Sequence, residues 1–232
     1  MSAQDEGRVL LITGASSGIG EATARRAAAA GWRVALAARS LERLERLAAE
    51  LGGPERTLAI RCDVTEWEEQ HAALTRTVEQ FGALDAVFAN AGFGAERGFT
   101  RSTPEHWREM VLTNVYGAAL TIRATLPALE ASRGHFLVTS SVAGRRVLPG
   151  SLYSCTKHAV GAMGEALRQE VQGSGVRVTL IAPGMVDTPF FERKPESALA
   201  ADDVARSVMF ALEQPHHVDV NEILVRPTAQ AG

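Results

Sequence analysis

Cysteine, lysine and tyrosine are scarce in this chain, with two of each among 232 residues. Cys62 and Cys155 are too few for a disulfide framework, and no Cys/His grouping has the spacing of a zinc site. Long apolar runs are missing as well. No stretch reaches the ~18 residues of a membrane span. The short polar start, residues 1–7, lacks the apolar core of a signal peptide and reads as a flexible arm. A reducing, cytoplasmic setting is the default expectation. A basic excess is also absent: the net charge is −3 and the pI near 6.1, with no basic block to mark a nucleic-acid partner. Repeats, linkers and low-complexity tracts do not occur. At this length, one core and a single domain over 1–232 are expected.

What is present is strict alternation. Arg8 to Thr13 is a short apolar run ending at Gly14, too short for a helix and apt for a buried strand. Glu21 to Ala30 follows as a helix stopped by Gly31. Further strands are expected at Arg33–Ala38, Thr57–Arg61, Leu84–Ala89, His135–Thr139, Val176–Ile181 and Glu222–Val225. Between them come helices at Leu41–Leu51, Glu66–Phe81, Thr103 to about Leu126, Ser151 to about Gln172, and Ala201–Glu213. Such a pattern implies an α/β, doubly wound, Rossmann-type parallel sheet of about seven strands with helices on both faces.

Three features carry chemistry. The first is the turn Gly14-Ala15-Ser16-Ser17-Gly18-Ile19-Gly20 between the first strand and helix. Glycines there allow a tight turn and close backbone approach to a pyrophosphate at a helix N-terminus. The same residues match G-x-S-x-G, the nucleophile elbow of serine hydrolases, with Ser16 as nucleophile and His216 or His217 as base. An elbow normally follows several strands, and here only one precedes it. The second feature is Ala38-Arg39 at the end of the second strand. An NAD site usually has a carboxylate at this point, whereas an arginine suits a 2′-phosphate. This predicts NADP(H).

The third is Tyr153-x-x-x-Lys157. The chain has two tyrosines, two lysines (Lys157 and Lys194) and 22 arginines, so this spacing is rare by chance. In a helix the two residues share a face, one turn apart. An ammonium ~5 Å from a phenol, at an effective dielectric of ~20, is worth roughly 3 kcal/mol. That would lower the phenol's pKa from ~10 toward the range of proton transfer near neutral pH.

Taken in order, these segments resemble the short-chain dehydrogenase/reductase family along nearly the whole chain. Thr13-Gly14-x-x-x-Gly18-x-Gly20 matches its cofactor motif, and Asp63-Val64 its adenine-contacting pair. Asn90-Ala91-Gly92 matches the motif after the fourth strand, with Ala89 where the family often has a second asparagine. Thr113-Asn114-Val115-x-Gly117, Ser140-Ser141-Val142-Ala143-Gly144 and Pro183-Gly184-x-Val186-x-Thr188 match three further segments.

The resemblance implies hydride transfer between NADP(H) and a carbonyl or alcohol, an aldehyde, ketone or 3-oxo/3-hydroxy acid. Tyr153 would exchange the proton, Ser141 would bind the substrate oxygen, Lys157 would tune the phenol and bond the nicotinamide ribose, and Asn114 would hold a relay water. Ser141 is chosen over Ser140 on the local Ser-Val-Ala-Gly pattern. Ser16, Ser17 and Ile19 join the glycines in the cofactor site, and Pro183 to Thr188 close on the nicotinamide end. Phe93, Arg145, Leu148 and Phe190 are candidates for the substrate pocket. A homodimer or homotetramer through the two long helices is implied. The alternatives are the hydrolase and a non-catalytic NADP-binding regulator, which would not need Ser141, Tyr153 and Lys157 together.

Overall fold

A computed structural model describes residues 7–191 and 196–230; the expected flexible arm lies almost entirely outside the described residues. Strands β1 (Val9–Thr13), β2 (Arg33–Ala38), β3 (Thr57–Arg61), β4 (Ala86–Ala89), β5 (His135–Thr139), β6 (Arg177–Pro183) and β9 (Glu222–Val225) form one sheet in the order β3-β2-β1-β4-β5-β6-β9. Every pairing is parallel. Two short strands, β7 (Val186–Asp187) and β8 (Leu199–Ala200), pair separately.

The helices are α1 (Gly18–Ala29), α2 (Leu41–Glu50), α3 (Trp67–Phe81), α4 (Pro104–Val111), α5 (Gly117–Ser132), α6 (Leu152–Glu170) and α7 (Ala201–Leu212). They cover the two faces, so β1 and β6 are buried along their length; β1 reads as an apolar run up to Thr13, and β6 is mainly apolar, with Arg177 and Thr179 as buried polar exceptions. One core joins α1, α2 and α7 to the sheet around Trp32, Leu36, Phe88 and Val208. The other lies under α3, α5 and α6 around Leu11, Val87, Phe136 and Leu167.

The expected helix from Thr103 to Leu126 is interrupted. Between α4 and α5, Leu112–Tyr116 forms a π-helical turn that buries Asn114. An extra residue in a helical turn is a distortion that local pattern does not announce, and it often marks a functional site. Strand order reverses between β1 and β4, and in such sheets the ligand crevice lies at the strand carboxyl ends beside that reversal.

Candidate active site

The crevice is there. A cleft of about 1370 Å³ runs over the carboxyl ends of the strands, from the β1–α1 turn to the residues after β9. Its floor at the centre is the glycine turn. Gly14 has φ +65, and a Cβ on Gly20 would sit 2.3 Å from the Gly14 carbonyl oxygen. Only glycine lets α1 start this close to the strand. Ser17 stands at the N-cap without a side-chain capping bond, so the first N–H groups of α1 lack intrahelical partners and face the cleft as anion donors. Gly20→Ala forces a clash with backbone. An unfolding cost of about 1–3 kcal/mol is expected, and an unchanged melting midpoint would refute this packing account.

Asn90 knits the turn to its neighbours. Its Nδ2 donates to the carbonyls of Thr13 (3.2 Å) and Gly14 (3.4 Å), and its Oδ1 accepts from Thr139 Oγ1 at 3.1 Å. Ala91 packs against Gly14, and Gly92 lies against Asn114 and Lys157. Ser16, Ser17, Gly18 and Ile19 line the cleft on the helix side; Thr188 rests on Gly18 and, with Pro183, Gly184 and Val186, forms the facing wall.

At the β2 end, Arg39 lines the cleft together with Arg43, one turn into α2. Sequence reading missed Arg43; its position four residues after Arg39 in a helix start was the available signal. Asp63 and Val64 line the same end. Burial works against ionisation of Asp63, but the N–H and hydroxyl of Thr65 and the charge of Arg39 outweigh it and hold the carboxyl below its usual range.

The chemistry gathers where β5 ends and α6 begins. Ser151 caps α6 by accepting from the Ser154 N–H at 3.1 Å, which sets Tyr153 in the first turn and Lys157 one turn further. Of the two serines, Ser141 is the one whose hydroxyl bears on the Tyr153 phenol, holding back the rise of its pKa. Ser140 points away and donates to the Lys157 carbonyl at 3.3 Å. Lys157 Nζ donates to the Thr139 carbonyl at 2.7 Å and lies 5.7 Å from the Tyr153 ring centroid. Phe190 stacks edge-on against Tyr153 at 5.5 Å and covers Gly94, while Phe93 and Leu148 complete the apolar walls.

Several expectations need correction. Lysine was expected to lower the phenol's pKa. Instead, burial pushes Tyr153 up to about 12, against the opposing effect of the Ser141 hydroxyl, and pushes Lys157 down to about 8. Both groups lose water in the same wall, and desolvation is the leading cause for each. Asn114 does not reach the cleft. Its Oδ1 accepts from the Phe93 N–H (3.0 Å), and its Nδ2 donates to the Phe93 carbonyl (2.8 Å) and Thr156 Oγ1 (3.1 Å), so its amide holds the wall from behind. Gly20 likewise stands behind the lining. Arg145, a candidate for the substrate pocket, lines the cleft but is engaged by Glu222 through two hydrogen bonds of 2.6 and 2.8 Å.

The rival nucleophile fares poorly. Among the described residues no histidine lines the cleft onto which Ser16 opens, and Ser16 is not among the positive-φ residues that a strained elbow would require.

A cradle of this kind, with a serine, tyrosine and lysine at its far end, defines a nucleotide-dependent enzyme of the short-chain dehydrogenase type. The short chain dehydrogenase family model matches residues 8–198. The chain belongs to that family and is an oxidoreductase by membership. It is 37% identical over 228 residues to an uncharacterized oxidoreductase of Staphylococcus epidermidis, covering 95% of this chain and 97% of the relative. Among solved structures, an alcohol dehydrogenase from the archaeon Thermococcus sibiricus, complexed with 5-hydroxy-NADP, is similar with a TM-score of 0.91 and 35% identity over 97% of this chain and 98% of that one. A 3-ketoacyl-(acyl-carrier-protein) reductase from Brucella melitensis complexed with NADH follows at 0.89 and 29%, covering 97% and 98%.

Proposed function

We propose that the chain, acting as one catalytic unit, is an NADP(H)-dependent oxidoreductase of small carbonyl or alcohol compounds. The gathering of Ser141, Tyr153 and buried Lys157, with Lys157 Nζ 5.7 Å from the Tyr153 ring centroid, within the cleft that the glycine turn opens, is the observation that carries this reading. The residues fit the cofactor. The turn Gly14–Ile19 would hold the pyrophosphate, Arg39 and Arg43 the 2′-phosphate, Asp63 and Val64 the adenine end, and Asn90–Gly92 and Pro183–Thr188 the other end. When bound, NADP(H) supplies or accepts the hydride.

The side chains handle the oxygen and the proton. Ser141 donates to the carbonyl oxygen and stabilises charge developing there. A phenol raised to about 12 is protonated at neutral pH, so Tyr153 carries the proton that this oxygen receives. Lys157 supports the phenolate left behind. Asn114 keeps Phe93 and Gly92 in place. NADPH consumption over aldehydes, ketones, quinones and oxo acids tests the reading; no consumption with any of them would end it. A homodimer or homotetramer is the assembly we favour, from family likeness. No helix among the described residues is long and apolar enough to cross a membrane, which is compatible with the cytoplasmic setting proposed from the sequence.

The lysine sets a pH limb. Burial holds Lys157 at about 8, so the ammonium is present below that pH and lost above it. Reductive kcat/KM is expected to be level near neutrality and to fall through about pH 8. A profile level to about pH 9.5 would show that the ammonium takes no part.

A further inference from the structure

The walls of the cleft carry more positive charge than the chain does. Although the net charge is −3, the described lining includes six arginines and Lys157 but only Asp63 and Glu109 as acids. A concave wall of one sign concentrates ligands of the other. On the β2 side, Arg39 and Arg43 are accounted for by the 2′-phosphate of the proposed cofactor. On the β5–β9 side, Arg145 is neutralised by Glu222. That leaves Arg97, Arg146 and Arg226 facing the cleft with no ion pair among the described residues, opposed there by Glu109 alone.

Two of these arginines follow directly on residues that are tied to the reacting wall. Ser141 Oγ donates to the Pro183 carbonyl at 3.4 Å, and Pro183 is in register with Val225 of β9. Arg226 is the next residue along. The Arg145–Glu222 fork ties the backbone just before Arg146 to the same strand. Within β9, Ile223 and Val225 pack on the core, so by alternation Glu222, Leu224 and Arg226 share the other face. Leu224 and Arg226 thereby reach the cleft, while Glu222 anchors Arg145. A planar guanidinium matches a carboxylate with two parallel hydrogen bonds.

We propose that Arg146 and Arg226 receive a carboxylate on the carbonyl substrate, so that oxo acids and the corresponding hydroxy acids are the preferred substrate class. The inference rests on the oxidoreductase reading above. It is tested with a series of ω-oxo carboxylic acids of increasing length, each beside its methyl ester, in NADPH-consumption assays. For the best-fitting length the wild type is expected to favour the acid in kcat/KM by about tenfold or more, through KM. The variant R146Q/R226Q is expected to bring the acid-to-ester ratio near unity, with NADPH affinity reporting that it is folded. Independently of any variant, added salt should raise KM for the acid and leave that for the ester in place. Equal use of acid and ester by the wild type, or a preference that survives both substitutions, overturns the inference while leaving the enzyme reading intact. Reduction of neither overturns both. Preference for an ω-oxoalkyl phosphate over every acid overturns the choice of carboxylate.

Discussion

Tyr153→Phe is expected to bind NADPH like the wild type and to lose about 10²- to 10⁴-fold in kcat, the range contributed by a positioned general acid. The change removes one oxygen from a half-buried ring whose edge-on contact with Phe190 is made by carbon atoms. Packing is therefore kept, and the proton is not. Ser141 still has the Pro183 carbonyl as a partner, so the loss is confined to the phenol. Equilibrium NADPH titration beside steady-state rates separates the two effects. A near-normal rate in the Tyr153→Phe variant would remove Tyr153 from the chemistry and the proposed mechanism with it.

The second large effect lies at the other end of the cleft. Ala38→Asp combined with Arg39→Ile is expected to lower the NADPH/NADH ratio of kcat/KM by about 10- to 10²-fold, because removing a charge-assisted hydrogen bond costs about 1.5–3 kcal/mol. A carboxylate at position 38 adds repulsion toward a 2′-phosphate and an acceptor for a ribose hydroxyl. Arg43 remains in the double variant, so a residual preference for NADPH is expected, and adding Arg43→Ala should erase it. Loss of Arg39 also withdraws one of the charges that hold the Asp63 carboxyl down. An unchanged ratio in the double variant would mean that neither position reads the phosphate.

Much of this layout was legible from residue order. Alternating apolar runs and glycine stops located the seven strands of the sheet, because central parallel strands are mainly apolar and need no periodicity to be seen. The glycine turn and the Tyr153–Lys157 spacing were legible for a similar reason: both are local, within a turn or two of chain. What escaped was long-range or depended on solvent. The π turn at Leu112–Tyr116 is stabilised by what Asn114 grips across the fold, at Phe93 and Thr156. Arg145 looked available until β9, 77 residues later, brought up Glu222. The direction of the Tyr153 shift came out reversed because spacing reveals a neighbouring charge but not the water that both groups have lost. The role of Gln230, whose Oε1 accepts from the Met185 N–H at 2.9 Å and fills the place of a Gly184 side chain, had no sequence signal.

That last contact shows how far apart in the chain the walls of one pocket lie. Cleft-lining residues run from Gly14 to Gln230, so the fold without β9 and the residues behind it would have the glycine cradle but neither Arg226 nor the support under Met185. The pocket is complete only with β9 paired beside β6. Removing β9 and the residues behind it would therefore leave the glycine cradle open along one wall, while β1, whose amino end points away from the cleft, bears on it only through its carboxyl end.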